Sequence, residues 1–157
     1  MNFNLSSEQE LIKQTAADFS ADELLKGVVE RDINKIWPTE QISKMAELGF
    51  MGMMVNEEYG GSGLDSISYC IAMEEISKVD ASAGVIMSVN NSLVCYLLQK
   101  YGSDYIKDAY LRKLAKGEKL GAFSLSEPQS GSDASNMNTF AKLDGSHYIL
   151  NGTKNWV

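Results

Sequence analysis

One stretch decides how this chain is organised: Ala122-Phe123-Ser124-Leu125-Ser126-Glu127-Pro128-Gln129-Ser130-Gly131-Ser132-Asp133. Its first half alternates like a β-strand, and Glu127-Pro128 ends the alternation. A loop rich in serine, glycine and aspartate follows. Such a loop lets the backbone approach a ligand closely, because Gly131 has no Cβ and successive N–H groups in a turn can bind an anion. The residues before this stretch predict helices, and the residues after it predict a hairpin.

The helices are predicted from apolar side chains that recur at helical spacing. Ser6 and Ser7 before Gln9 and Glu10 predict a capped first helix, and further helices are predicted over 21–34, 38–49, 66–78, 81–101 and 103–117. The predicted N-caps of the last three are Asp65, Asp80 and Ser103. The side chains expected to face the interior or to share a buried stripe are Ile12, Ala16, Phe19, Leu25, Val28, Val29, Ile42, Met45, Leu48, Ile67, Cys70, Ile71, Val85, Val89, Ser92, Leu93, Tyr96, Ile106, Tyr110 and Leu114.

Two features of the helical part have alternative interpretations. The helix over 81–101 is expected to be central, since apolar residues occur on more than one side of it, yet Asn90 and Asn91 fall in its middle. Buried amides need partners, so either neighbouring backbone satisfies them or they face a cavity. The glycine-rich segment 60–63 is either a tight turn or a ligand contact, and it matches neither common nucleotide-binding pattern.

Near Gly117 to Gly121 the spacing of apolar residues changes from the helical period of 3.6 to the strand period of 2, which predicts a domain boundary there. We expect one domain over 1–118 and a second over 119–157. Strands are predicted over 119–126, 137–143, 147–150 and from Thr153 to Val157, with turns at Asp144-Gly145 and Asn151-Gly152. About 40 residues with a few strands make a poor independent core, so the second domain is expected to be incomplete.

Composition excludes several classes of function. The chain is 44% hydrophobic and 22% charged with a net charge of −7, which is typical of a globular protein and argues against a nucleic-acid interface. No apolar run reaches the roughly 18–20 residues of a membrane span. The N-terminal segment resembles neither a secretory signal nor a transit peptide, so a cytoplasmic location is expected. Cys70 and Cys95 match no metal spacing and predict two buried free thiols.

The titratable residues alone show no catalytic arrangement. His147 lies in a predicted strand, where a structural or exposed role is expected. Adjacent carboxylates such as Glu74-Glu75 do not face one another on a helix. No metal site is predicted either. The residue types by themselves leave a helical domain, a small sheet and one serine- and glycine-rich loop.

The motifs resemble those of the acyl-CoA dehydrogenase family. Its signature is matched by Leu125-Ser126-Glu127-Pro128-Gln129-Ser130-Gly131-Ser132-Asp133, and Asn151-Gly152-Thr153-Lys154-Asn155-Trp156 agrees with a second family block. Met45-Ala46-Glu47-Leu48-Gly49, residues 57–65 and residues 72–77 resemble further blocks. Residues 84–93, GVIMSVNNSL, resemble the short-chain, butyryl-type members in particular. The resemblance covers essentially the whole chain in the family's order.

The resemblance implies an α+β fold and an oxidoreductase. The expected fold is an N-terminal all-helical domain followed by the first strands of an antiparallel β-barrel domain. The expected reaction is FAD-dependent α,β-dehydrogenation of short-chain acyl-CoA to 2-enoyl-CoA, a step of fatty acid β-oxidation, with electrons passed to electron-transfer flavoprotein. The full-length protein is expected to be a homotetramer. The family's base is a glutamate of its C-terminal domain, so this chain holds no catalytic residue and is expected to be inactive alone.

The resemblance also implies binding residues. Phe123, Leu125 and Ser126 are expected against the FAD isoalloxazine, with Trp156 near the ring. The expected phosphate contacts are Gly131 and Ser132, and the residues expected at the acyl-CoA are Ser132, Ile86, Met87 and Asn90. Bulky Ile86 and Met87 would fit a short acyl chain. The alternative hypothesis is a complete, non-catalytic helical module that binds an acyl-CoA or a protein partner.

Overall fold

A computed structural model describes residues 4–156 and divides the chain into two compact units, Met1–Gly121 and Ala122–Val157. We call them the helical unit and the hairpin unit and describe each by itself. The first is built of helices and the second contains a two-stranded antiparallel sheet. This order of helices followed by strands confirms the predicted α+β class.

The helical unit contains eight α-helical segments among its described residues. Three π-helical segments, Ser20–Leu24, Val89–Cys95 and Lys107–Leu111, continue or join them, and Glu57–Tyr59 forms a 3-10 turn. Residues Ala81–Tyr101 therefore form one helix of 21 residues. The α-helices are α1 Ser7–Phe19, α2 Val28–Asn34, α3 Thr39–Glu47, α4 Ser66–Val79, α5 Ala81–Ser88, α6 Tyr96–Tyr101, α7 Asp104–Ile106 and α8 Arg112–Ala115.

The predicted helix caps are confirmed. The Ser6 side chain accepts a hydrogen bond from the Gln9 N–H (3.2 Å), and the Gln9 side chain accepts one from the Ser6 N–H (3.0 Å). Side chains of Asp65, Asp80 and Ser103 accept from the N–H groups three residues later. These bonds satisfy N–H groups that a helix start leaves without intrahelical partners. Local sequence therefore decides where these helices begin.

The predicted helix over 21–34 is wrong in its continuity and in its buried face. Gly27 adopts a left-handed conformation (φ 73°) and separates the π-helical turn from α2. Leu25 is 58% exposed and Val29 is 66% exposed, whereas Leu24 is fully buried. Gly27 interrupts the helix, so the helical spacing of apolar residues does not continue from Leu25 to Val29.

Other predicted inward residues are exposed for a related reason. On α4 the buried side chains are Ser68, Tyr69, Ala72 and Ile76, so the buried face lies one residue away from the predicted one. Near the end of the helical unit, the π-helical turn Lys107–Leu111 has one more residue than an α-helical turn. The following side chains are therefore rotated around the helix axis, and Leu111 is buried in place of Tyr110. The predicted inward residues found exposed are Leu25, Val29, Leu48, Ile67, Cys70, Val85, Leu93, Tyr96 and Tyr110.

The core of the helical unit lies between α1, α3, α4 and α5. Phe19 and Phe50 pack at its centre, with ring centroids 5.9 Å apart. A second cluster of buried side chains surrounds Leu111 and Leu114. The main cluster comprises Ala16, Phe19, Leu24, Ile42, Met45, Phe50, Met51, Met53, Tyr69, Ala72, Ile76, Ala83 and Met87.

The buried amide of Asn91 joins the central helix to the segment after α3. Its Nδ2 donates to the carbonyl oxygens of Phe50 (2.8 Å) and Met87 (3.0 Å), and its Oδ1 accepts from the N–H of Met53 (2.8 Å). The backbone alternative for Asn90 and Asn91 is therefore confirmed. Irregular backbone is buried here, and the amide supplies the partners that this backbone needs.

Within residues 4–156, the helix Ala81–Tyr101 is long and apolar enough to cross a membrane by length and composition alone. Core helices pass the same test. A third of its most apolar window is buried inside the protein, and two of its amides bond to backbone of the same unit. We describe it as the central helix of the helical unit, and the expected lack of a membrane span stays a prediction.

The glycine-rich segment favours the tight-turn interpretation. Glu57–Tyr59 forms the turn, and the N–H of Gly63 donates to the carbonyl of Val55 (2.9 Å). A Cβ at Gly61 would overlap the Val55 carbonyl oxygen. The glycine is therefore explained by the close approach of the chain to itself.

The hairpin unit contains β1 Phe140–Asp144 and β2 His147–Asn151. Their register runs from Phe140 opposite Asn151 to Asp144 opposite His147, which leaves a two-residue loop at 145–146. The hairpin is confirmed, although its loop lies one residue later than predicted. The strand predicted over 119–126 is absent, and residues 153–156 are also not a strand; Val157 lies outside the described residues. Neither segment has the continuous backbone pairing that a strand needs.

Candidate functional site

The candidate site is the 125–133 loop of the hairpin unit. Glu127 and Ser130 exchange two backbone hydrogen bonds, of 2.8 and 3.1 Å, and the Ser130 hydroxyl donates to the Asp133 carbonyl (2.7 Å). Glu127 and Ser130 are buried, while Gly131 and Ser132 are exposed. The loop therefore closes on itself and leaves its glycine and second serine accessible to a ligand.

No contact within the described part of the hairpin unit explains why residue 131 is a glycine. A Cβ built at Gly131 would meet no atom within 4 Å, and its φ lies outside the left-handed range. Gly61 differs, because a Cβ there would overlap the Val55 carbonyl oxygen, so packing within the chain explains that glycine. Open space beside an exposed glycine leaves room for a ligand to approach the backbone.

The carboxylate of Glu127 is the most connected group of the site. Its Oε2 accepts from the Asn138 N–H and from Gln129 Nε2, both at 2.6 Å. Its Oε1 accepts from the Thr139 N–H (3.0 Å) and from Lys154 Nζ (2.9 Å). The side chain is only 2% exposed. The Thr139 hydroxyl beside it, followed by the Lys154 ammonium, holds the pKa of this carboxyl well below its usual range.

The backbone around Leu125 and Ser126 offers donors rather than acceptors. Lys154 Nζ donates to the Leu125 carbonyl (2.9 Å), and the Asn155 N–H donates to the Ser126 carbonyl (2.8 Å). In the described part of the chain, the N–H groups of Leu125 and Ser126 and the Ser126 hydroxyl have no partner. A ligand edge that carries acceptors or negative charge would complement them.

The two aromatic residues of the predicted cofactor set differ in their surroundings. Phe123, near the start of the hairpin unit, is half-buried, whereas Trp156 is 93% exposed. Trp156 directly follows the Asn155 link to Ser126. The predicted cofactor residues therefore all lie in the hairpin unit, with Phe123 just before the loop, the next four residues on the loop, and Trp156 on the segment bonded to it.

The predicted acyl residues lie on the central helix of the helical unit. Met87 and Asn90 are fully buried. Asn90 Nδ2 donates to the carbonyls of Met51 (2.8 Å) and Leu114 (3.1 Å), and its Oδ1 accepts from the Gly121 N–H (2.9 Å). The amide thus bonds to backbone at three points. The placement of Met87 and Asn90 gives them packing and anchoring contacts, and their role at a substrate stays a prediction.

Ile86, the third acyl residue, is half-buried and lines a groove of about 890 Å³ in the helical unit. Trp37, Val29 and Val85 are also in its wall. Arg31 contributes to the lining as well. This groove was not predicted, because Val29 and Val85 were expected to face the interior.

A buried ion pair beside the groove was also missed by sequence reasoning. Arg31 Nη2 lies 3.0 Å from Asp80 Oδ2, with the two side chains 12% and 6% exposed. Arg31 also donates to the carbonyls of Leu24 (2.6 Å) and Lys26 (2.7 Å). The two residues are 49 apart in sequence, and no local signal pairs them.

The remaining chemistry-bearing residues form no further centre among the described residues. No group of three His, Cys, Asp or Glu side chains there could hold a metal ion. Cys95 is buried, as predicted, and burial raises the pKa of its thiol to about 12. Cys70 is exposed, so the prediction of two buried thiols is wrong for that residue. His147 is exposed and contacts the Ser146 hydroxyl (3.0 Å).

Comparison with protein families identifies both units. Residues 6–118 match the family model "Acyl-CoA dehydrogenase, N-terminal domain", and residues 122–157 match "Acyl-CoA dehydrogenase, middle domain". The chain belongs to the acyl-CoA dehydrogenase family. The resemblance drawn from the 125–133 motif and the ordered blocks is therefore confirmed.

Curated relatives within the family are named as short-chain enzymes. The short-chain specific acyl-CoA dehydrogenase of Clostridium acetobutylicum is 43% identical over 157 residues, which are 100% of this chain and 41% of the relative. The human mitochondrial short-chain specific acyl-CoA dehydrogenase is 45% identical over 153 residues, which are 98% of this chain and 37% of the relative. The chain thus spans about two-fifths of the length of these relatives.

Solved structures share the fold of this chain. A chain in a structure of the electron transferring flavoprotein of Acidaminococcus fermentans has a TM-score of 0.93 and 47% identity, over 98% of this chain and 40% of that one. An acyl-CoA dehydrogenase complexed with FAD from Bacillus anthracis has a TM-score of 0.89 and 35% identity, over 98% and 26%. Both comparisons cover the described helices and hairpin.

Proposed function

We propose that this chain forms the N-terminal domain and part of the middle domain of an FAD-dependent short-chain acyl-CoA dehydrogenase. The reaction is α,β-dehydrogenation of a short-chain acyl-CoA to the 2-enoyl-CoA, with electrons passed to electron-transfer flavoprotein. The observation that carries the proposal is the match of both domains in order, together with the unpaired donors at Leu125 and Ser126. The name of the Clostridium relative supports the short-chain substrate, and the Acidaminococcus structure supports the electron acceptor.

The hairpin unit fits FAD through its unpaired donors. The N–H groups of Leu125 and Ser126 and the Ser126 hydroxyl would face the pyrimidine edge, with Phe123 and Trp156 beside the ring system. Donors suit this edge because they stabilise negative charge on the reduced ring. FAD, when bound, supplies the acceptor for the hydride of the substrate.

Gly131 and Ser132 would contact the cofactor phosphates, and Ser132 would also lie beside the acyl-CoA. The room at Gly131 supports close approach of a phosphate to backbone N–H groups. On the central helix, Ile86, Met87 and Asn90 would line the acyl site, with bulky Ile86 and Met87 filling it. A filled wall would exclude longer acyl chains.

The catalytic base is proposed to lie outside this chain, on a glutamate of a C-terminal domain. Glu127 does not fit that role, because its carboxylate already accepts four hydrogen bonds. We also propose a homotetramer for the full-length protein and a cytoplasmic location. The human relative is named as mitochondrial.

Two measurements test the function. The purified full-length gene product should bind FAD and reduce an electron-accepting dye with butyryl-CoA, and long-chain acyl-CoA should be a poorer substrate. The 157-residue chain should show no turnover. Binding of butyryl-CoA without FAD binding or dye reduction would instead support the non-catalytic acyl-CoA module. Equal turnover with butyryl-CoA and long-chain acyl-CoA would contradict the short-chain assignment.

A variant connects the proposal to the loop. Gly131→Ala should leave the stability of the protein unchanged, because the new methyl group meets no atom of the chain. It should nevertheless weaken FAD binding if the cofactor phosphates approach this backbone. Ala134→Gly in the same loop region is the control, since it removes a methyl group where none is expected to matter for FAD. Wild-type FAD affinity in Gly131→Ala would contradict the proposed phosphate contact.

A further inference from the structure

We propose that Glu127 and Lys154 are positioning residues, which orient the backbone donors of the 125–133 loop without touching the cofactor. This inference rests on the proposed FAD site. Both residues belong to the hairpin unit, and they lie 27 positions apart in sequence. Neither was among the residues expected to bind a ligand.

The Glu127 carboxylate connects three separate segments. It receives hydrogen bonds from Gln129 of the loop itself, from the N–H groups of Asn138 and Thr139 ahead of β1, and from Lys154 after β2. The four distances lie between 2.6 and 3.0 Å. One buried anion therefore fastens the loop to both ends of the hairpin, and ionised partners make such hydrogen bonds stronger.

Lys154 links the Glu127 carboxylate to the peptide bond between Leu125 and Ser126, which carries one of the proposed donors. Its ammonium lies 2.9 Å from Glu127 Oε1 and 2.9 Å from the carbonyl oxygen of Leu125. The peptide between Leu125 and Ser126 is planar and trans, so its C=O and N–H point in opposite directions. Holding the Leu125 carbonyl against Lys154 consequently fixes the direction of the Ser126 N–H, which is one of the unpaired donors.

The next peptide is fixed in the same way. The Ser126 carbonyl accepts from the Asn155 N–H (2.8 Å), and the Glu127 N–H on the other side of that peptide donates to Ser130 (2.8 Å). Two consecutive peptide planes are thus held by the segment at 154–155. A binding site needs its donors in place before the ligand arrives, and hydrogen-bonded supporting residues provide that order.

The test compares two lysine substitutions in the full-length gene product. Lys154→Met removes the ammonium and keeps an unbranched side chain close to the length of the apolar stem of lysine. Lys142→Met, at an exposed position of β1, makes the same change of charge and is the matched control. FAD affinity is measured by titrating the FAD-free protein, and the visible circular dichroism of the bound flavin is recorded at saturating FAD.

We expect Lys154→Met to raise the Kd for FAD by about tenfold, by analogy with the loss that follows removal of residues supporting metal ligands. The visible circular dichroism of the saturated protein should also change, because the donors meet the flavin in a different orientation. Lys154→Arg should restore part of both properties. Lys142→Met should match the wild type. Glu127→Gln should show the same changes and serves where Lys154→Met does not fold.

The outcomes separate this inference from the proposed function. A wild-type protein that does not bind FAD would refute both. Tight FAD binding by the wild type, with unchanged Kd and unchanged circular dichroism in Lys154→Met and Glu127→Gln, would refute the positioning role alone. Weaker binding with a wild-type spectrum at saturation would show a role in stability only and would also refute it.

Discussion

Replacing Asn91 by leucine tests a buried amide that makes three hydrogen bonds in the helical unit. Leucine has a similar volume, so the substitution creates little cavity, but it removes all three hydrogen bonds of the amide. The Phe50 carbonyl and the Met53 N–H then lose the amide partner that they have in the described structure. Each buried, unsatisfied backbone group costs about 1–3 kcal/mol, so the free energy of unfolding should fall by about 2–6 kcal/mol.

The assay is chemical denaturation at neutral pH, with matched variants. Asn34→Leu, at the exposed end of α2, makes the same substitution where no buried partner is lost and should change stability by less than about 0.5 kcal/mol. Asn91→Asp keeps the acceptor for Met53 but sets a carboxylate oxygen against the carbonyls of Phe50 and Met87, so it should also destabilise. A loss below about 1 kcal/mol in Asn91→Leu would show that this backbone finds other partners.

Three further predictions concern charged and thiol groups. Because hydrogen bonding lowers the folded-state pKa of Glu127, its stabilising contribution is complete above the unfolded pKa of about 4.3 and is lost as the pH falls through the lower folded value. The wild type should therefore lose stability in acid more steeply than Glu127→Gln, as thermal unfolding between pH 3 and 7 would show, and parallel curves would contradict this role. Arg31→Met should lower the free energy of unfolding in denaturant by about 3–5 kcal/mol, because it leaves Asp80 buried without its charge partner. The double variant Arg31→Met with Asp80→Asn should recover part of this loss. No recovery would argue against coupling of the pair. In the native protein a thiol reagent should label Cys70 quickly and Cys95 only after unfolding, and rapid labelling of both would contradict the burial of Cys95.

Helix starts could be predicted from the sequence, whereas buried faces could not be predicted reliably. The caps at Ser6 and Asp65 act within three residues, so their signal is local and complete. Whether Tyr110 points to the core or to solvent depends on a π-helical turn at Lys107–Leu111, which shifts every later residue around the helix axis. Tertiary packing selects such a π-helical turn, so the spacing of apolar residues in the sequence does not reveal it.

The same distinction applies to the candidate site. The serine- and glycine-rich motif located the loop, because glycine and turn-forming residues carry a local signal. The partners of Glu127 could not be found in this way, since Lys154 lies 27 residues further along the chain. A carboxylate at the end of an alternating, strand-like segment was the available hint, because a buried carboxylate must collect donors.

The long-range pairing also decides which chemistry the loop can offer. From sequence alone, the backbone at Leu125 and Ser126 has as many acceptors as donors. Lys154 and Asn155 occupy both carbonyl oxygens and leave the N–H groups and the Ser126 hydroxyl. The loop is thereby biased toward an electron-rich partner, which is the state that a flavin reaches when it is reduced. Residues after β2 therefore contribute to the site although they carry none of the proposed pyrimidine-edge donors.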